Sequence, residues 1–405
     1  MPGQGRSDAP AEARALYQVA MLVFVVTVSI GVSNGLKVIT FTRDQLLTHV
    51  HAGTLGWISL GAFATGIWLF AGIGTSPSRQ LARIAAWIAA IGIPVYVAAF
   101  WSGNLAARAV FGFPVLLAIL IFYVWLIQQV RASGWTLPRL AVLLAVTSLV
   151  LGSAIGVVIQ VQLATSTKLL PDAAIGGHVS AQVVGYLVLI AMAITEWRLK
   201  PDAPMTKLGI AQVGVPFVGA LIAVVGATIG SNESFVAAIL CEIVGIAIYV
   251  WRFVPELLRT RWLAADPRRH FALSAIFLPV DLILLVILIA GVVSGTYADF
   301  TLIPVWLIFA FDHAMFIGVM SNSLFGLVQV ATAERRSLWS WADHLLFWGM
   351  NFGMLGFVAS LITNQRDLER IFTPIMGVSI LVAILAYSLR LRAPRAPVAV
   401  ATAAE

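Results

Sequence analysis

The chain has 405 residues, 60% hydrophobic and only 11% charged, whereas a soluble globular domain is roughly half apolar and a quarter charged. That balance excludes an ordinary soluble enzyme, and repeated apolar runs long enough to cross a hydrocarbon core of about 30 Å identify a polytopic membrane protein. The net charge of +7 needs no nucleic-acid partner, because membrane topology accounts for it.

In chain order, the first 14 residues are polar, small and expected to be disordered on the cytoplasmic side; they lack the features of a signal peptide. Twelve spans follow, near 15–38, 47–73, 81–102, 108–131, 138–163, 177–199, 207–230, 234–255, 270–295, 302–331, 342–364 and 371–391. A cytoplasmic tail is expected over 392–405. With the N-terminus inside, only Lys37, Arg43, Arg108, Lys168, Arg366 and Arg370 fall outside, leaving 19 of the 25 Lys and Arg inside. This asymmetry predicts a multi-pass protein of the inner (cytoplasmic) membrane, N-in and C-in, with the lipid bilayer as its constant partner. Cys241 stands alone in the eighth span, so the chain can form neither an intrachain disulfide nor a thiolate cluster.

A repeat lies within the spans. "HVHAGTLGWISLGAFATGIW" (49–68) and "HVSAQVVGYLVLIAMAITEW" (178–197) align without a gap and share eight of twenty residues, with His at one end and Trp at the other. The offset of 129 residues is four spans, and four spans further stands His313. The expected architecture is therefore one all-α membrane domain of twelve transmembrane helices in three pseudo-repeated four-helix units, about 15–131, 138–255 and 270–391.

His49, His51, His178 and His313 all fall near the outer ends of their spans. Ionisable groups at such depth are expensive and mostly functional, and neutral imidazole is a ligand for iron and copper. In a regular helix His49 and His51 are about 200° apart and face nearly opposite ways. Gly56 follows His49 by seven residues, as Gly185 follows His178, so each glycine shares its histidine's face and could admit a flat ring.

Twelve spans in three units, with histidines on the second, sixth and tenth, resemble the haem–copper oxidase subunit I superfamily. Within it, His49, His51, Gly56 and Trp57, together with "HAMFIG" at 313–318, are similar to the NnrS branch of nitric-oxide-response membrane proteins. The resemblance implies one b-type haem held by His51 or His49 and by His313, with His51 slightly favoured. It places His178 at a copper position, leaving copper or haem ligation open there, and assigns Arg366 and Arg370 to the haem propionates. The seventh span has no histidine and the tenth has one, which excludes the inventory of a complete oxygen-reducing oxidase.

Among the remaining polar residues, Asp281 and Glu242 are candidates for a proton path, and Asp312 adjoins His313 without orienting it. His270, in "RRH", reads as interfacial, and His344 as a further metal-ligand candidate on the opposite face. Trp57, Trp68, Trp101 and Trp197 read as an interfacial belt. The expected function is an iron-containing, haem-binding membrane protein acting in electron transport or nitric-oxide response, or as one subunit of a respiratory redox complex. The alternative is a cofactor-free transporter or assembly factor on the same scaffold.

Overall fold

In hydrocarbon every backbone N–H and C=O must be paired within the protein, so apolar runs of this length become helices. The computed structural model describes residues 9–71, 76–201, 203–297, 302–337 and 339–395. It contains twelve helices long and apolar enough to span a membrane. These are α1 (Ala11–Gly35), α2 (Arg43–Leu69), α3 (Arg79–Trp101), α4 (Leu105–Ser133), α5 (Leu137–Thr165) and α6 (Ala174–Leu199). The rest are α7 (Lys207–Ile229), α8 (Glu233–Leu258), α9 (Arg268–Val293), α10 (Val305–Ala331), α11 (Ala342–Ile362) and α12 (Arg366–Arg392).

Each expected apolar run corresponds to one helix, and the differences lie at the ends. The second begins at Arg43 because Thr42 and Gln45 form a reciprocal capping box, setting His49 nearly two turns inside α2. The segment expected to be disordered over 1–14 is helical from Ala11; residues 1–8 and 396–405, most of the expected tail, lie outside the described residues.

Three helices occupy the centre. In α2, α6 and α10 the apolar window is 78%, 78% and 89% buried, against 28–56% in the other nine. They are an even number of crossings apart and therefore run in the same direction. In each, the α-helix gives way to a π-helical run: Ala52–Ser59, Ala181–Leu187 and Ala314–Ser321. Such i→i+5 segments concentrate at functional sites and displace every later side chain from its α-helical phase. The hydroxyls of Ser59 and Ser321 donate to the carbonyls of Thr54 and Phe316, each five residues back, at 3.0 and 2.8 Å.

Because of their central position, two expected surface tryptophans are core residues. Trp57 is buried, stacks on Phe24 at 4.8 Å and donates its Nε1–H to Ser321 Oγ of α10 at 3.0 Å. Trp68 is also buried, against Trp197; Trp101 remains exposed at a helix end.

His270 is likewise not interfacial: it is fully buried, and its Nδ1 lies 3.0 Å from Asn322 Oδ1. Asn322 donates to Asn351 Oδ1 at 2.7 Å and to Gly318 O at 2.9 Å, while Asn351 donates back at 3.1 Å. This network ties α9, α10 and α11 together and satisfies a carbonyl of the π-helical run. Replacing Asn322 by Leu strands His270 and Asn351 in an apolar setting, at a cost of about 1–2 kcal/mol. The detergent-solubilised variant should therefore unfold at a lower temperature, whereas Ser360→Ala, which removes a bond within a single helix, should change little.

Candidate functional site

Four imidazoles collect at one face of the bundle, near the N-terminal ends of α2, α6 and α10, and all four are half-buried. Each donates Nδ1–H to a backbone carbonyl, which can only accept. His49 reaches Thr27 O of α1 at 2.8 Å and His178 reaches Gly152 O of α5 at 2.7 Å. His51 and His313 bond the carbonyls four residues back in their own helices, Leu47 O and Phe309 O, both at 2.8 Å. This bond fixes the ring plane and the tautomer, so that Nε2 carries the lone pair. Among the described residues no Nε2 of the four has a hydrogen-bond partner. An Nδ1–H held by a carbonyl with an uncommitted Nε2 is the arrangement that orients metal-ligating histidines.

Glycines make room for two of these rings. A Cβ on Gly31 would stand 3.0 Å from His49 Cε1, and one on Gly156 would stand 2.9 Å from His178 Cε1. Each glycine lies four residues after the carbonyl that its histidine bonds, so one turn of the preceding helix supplies both acceptor and clearance. Gly56 has a different job from the one expected. It faces α1, as His49 does, but Val23 fills the space where a flat ring had been placed. Gly185 is closed in the same way by Ser148 of α5.

The alternation of faces separates the histidines into two pairs. His51 lies within electrostatic reach of His178, and His49 within reach of His313. Of the two histidines of α2, His49 is the one within electrostatic reach of His313. The His313 ring packs on Phe357 of α11 at 4.7 Å. Arg366 and Arg370 are exposed at the start of α12 on this same face, Arg370 lying 3.9 Å from Asp367.

His51 and His178 line a cavity of about 790 Å³ between α2, α3, α4, α5, α6 and α10. Its wall is organised by one buried cation. Arg108 is 3% exposed, pairs with Asp44 at 2.6 Å, donates to Phe100 O at 3.0 Å and lies over the Phe100 ring. Phe100 in turn stacks on His51 with centroids 3.9 Å apart. The α3–α4 turn that presents these groups depends on Gly103 at φ +69°, where a Cβ would also meet Asp44 Oδ2 at 3.0 Å. In the sequence Arg108 registers only as one of six outer basic residues; its cavity role follows from packing.

Asp312 also lines this cavity, and behind it lie two further acids. Asp281 of α9 is within electrostatic reach of Asp312, and Glu242 of α8 within reach of Asp281. Both are buried, and Asp281 Oδ1 and both Glu242 carboxyl oxygens have no hydrogen-bond partner. The three carboxyl groups lead from the cavity into the bundle. His344 stands apart: it is exposed on the opposite face, with Nδ1 3.4 Å from an Arg269 guanidinium nitrogen, so a cation already faces its lone pair.

These positions discriminate between ligands. Among the described residues, no three His, Cys, Asp or Glu side chains gather as a metal-ion site. A bare copper ion at His178 would therefore lack a third donor from these groups. A haem brings four equatorial nitrogens of its own and asks only for axial imidazoles, which the pairs can provide. No protein-family model matches the chain, and no curated protein matches it either.

The exposed Arg43 of the histidine face lines the cavity. A cysteine at Gln160, which lines it, should react with a maleimide in a Cys241→Ser background, whereas one at Leu324, fully buried in the centre, should stay unlabelled. Labelling rates on the solubilised protein check this.

Proposed function

We propose that this chain is a haem-binding membrane protein of the haem–copper oxidase superfamily, closest in character to its NnrS branch. In this reading His49 and His313 are the axial ligands of a b-type haem. The observation that carries it is the set of four imidazoles, each with Nδ1–H held by a carbonyl and Nε2 uncommitted, grouped in pairs near one face. In the proposed topology both termini are cytoplasmic and the histidine face points outward from the inner membrane.

A three-unit organisation of four helices each supports the reading. The π-helical runs set the register: His51, Ala52, Gly56 and Ser59 recur 262 residues later as His313, Ala314, Gly318 and Ser321. His49 recurs 129 residues later as His178, with the same bond to the preceding helix and the same glycine beneath the ring. Each pair then joins the later histidine position of one unit to the earlier position of the next. The third equivalent junction carries Ser180 and Phe311, and no imidazole.

A haem held by His49 and His313 would supply one-electron transfer, and one held by a single imidazole would leave room for a diatomic gas such as nitric oxide. The chain's own part is to hold the two rings in fixed planes through Thr27 and Phe309, and to exclude water around them with Phe357 and α1. Arg366 and Arg370 are assigned to the propionates, as charge-assisted Arg–carboxylate bonds require. Asp312, Asp281 and Glu242 are assigned to a proton path. The seventh helix (Lys207–Ile229) has no histidine, so the proposed role is electron transfer, gas response or a subunit of a larger redox complex, not oxygen reduction.

The test is the absorption spectrum of the detergent-purified protein, oxidised and dithionite-reduced, with a pyridine haemochrome assay. The expected result is a low-spin b-type spectrum whose intensity falls by about half or more in His49→Ala and in His313→Ala. A protein that stays colourless after expression with added haem precursor overturns the proposal in favour of a transporter or assembly role.

A further inference from the structure

Two pairs of imidazoles, and only one haem so far assigned, leave His51 and His178 to be explained. Both line one cavity, in which their Nε2 atoms have no protein partner among the described residues. The volume of about 790 Å³ falls within the range of about 300–1,000 Å³ usual for cofactor and ligand sites. Its lining is mostly aliphatic and aromatic, with polar groups concentrated at two levels. Arg43, Asp44, Arg108 and Gln160 stand at the histidine face, and Tyr186 deeper in. The Tyr186 hydroxyl is buried beside Ser59 without a well-formed hydrogen bond, and Gln160 Oε1 is buried without a partner. Unpaired polar atoms on the wall of a largely apolar cavity mark a site built for an occupant.

We propose that this cavity between α2 and α6 is a second haem site, with His51 and His178 as its axial ligands. The inference rests on the same reading of imidazole pairs that supports the His49–His313 site, but it uses different residues and can fail independently. Within the oxidase resemblance His178 takes a copper position, and that assignment needs more donors than the described residues bring to it. Two imidazoles without a third donor, on facing central helices, instead match the axial demand of a tetrapyrrole.

The remaining chemistry fits a propionate-bearing macrocycle. Arg43 puts a cationic group, without an ion-pair partner among the described residues, at the mouth, where a carboxylate would lie, beside Arg108, which is already paired with Asp44. Val115, Val157 and Val183 present apolar wall to the ring. Phe100, clamped by Arg108, fixes the plane of His51, while Gly156 lets His178 lie close against α5. Two haems near one face of one chain would provide a lateral electron path between the two halves of the bundle, parallel to the membrane.

The experiment measures haem per polypeptide by pyridine haemochrome in the full chain, expressed with haem precursor and purified in detergent. The expected ratio is two in the parent chain, falling to one in His51→Ala/His178→Ala, with the signal that depends on His313 retained. As a check independent of that double exchange, His178→Gly should shift part of the spectrum from low to high spin, and added imidazole should reverse it. A ratio of one that depends on His49 and His313 but not on His178 overturns this inference and leaves the first site standing. A ratio of one that depends on His178 but not on His313 supports it and overturns the first site. No haem at all overturns both.

Discussion

An imidazole N–H placed near hydrocarbon has to find an acceptor inside the protein, and four of the six histidines here find a backbone carbonyl. Much of the site geometry follows from that requirement. The bond removes one ring nitrogen from coordination chemistry, fixes which nitrogen keeps a lone pair, and sets the plane in which that lone pair points. It also dictates the neighbours. A ring that bonds the preceding helix needs a glycine one turn on, and Gly31 and Gly156 stand at those positions.

The π-helical runs are the second half of the same arrangement. A central helix in a twelve-helix bundle is surrounded by protein, so irregular backbone is tolerated where neighbouring groups satisfy it. Ser59, Ser321 and Asn322 supply side chains to carbonyls within the runs of α2 and α10. The i→i+5 geometry then rotates the lower half of each helix relative to the half that carries the histidines. Trp57 of α2 reaches Ser321 of α10 as a result, and the bundle closes at its centre while a cavity remains beside His51 and His178.

Charge is distributed to match. The half-buried Asp312 and the buried Asp281 and Glu242 follow one another from the cavity into α9 and α8. At the opposite face, Arg252 is paired with Glu196 at 2.7 Å and Arg390 with Asp343 at 2.6 Å. Those ion pairs read as anchors of the bundle, while Asp281 and Glu242, whose carboxyl groups carry unpartnered oxygens, contrast with them. A paired buried charge holds structure, whereas a buried acid with a free oxygen can exchange a proton.

Hydropathy alone determines the twelve long helices among the described residues, because an uninterrupted apolar run of this length pairs its own backbone groups in lipid only as a helix. The rare residues His and Trp, recurring at one spacing, also make the special standing of the second and sixth spans legible, and the parity of the spans puts four histidines at one end. What the sequence leaves open is phase. A straight helix sets His49 and His51 on opposite faces but cannot say which neighbour each one meets. Gly56 does share the face of His49, but Val23 of α1 fills the space beside it, and Trp57 meets Ser321 of α10, packing roles that neither spacing nor composition indicates. Arg108, Phe100 and Asp312 join the site only through contacts between helices far apart in the chain. The pairing of His51 with His178 and of His49 with His313 belongs to tertiary structure for the same reason: periodicity orients a side chain within its own helix, and only packing places another helix opposite it.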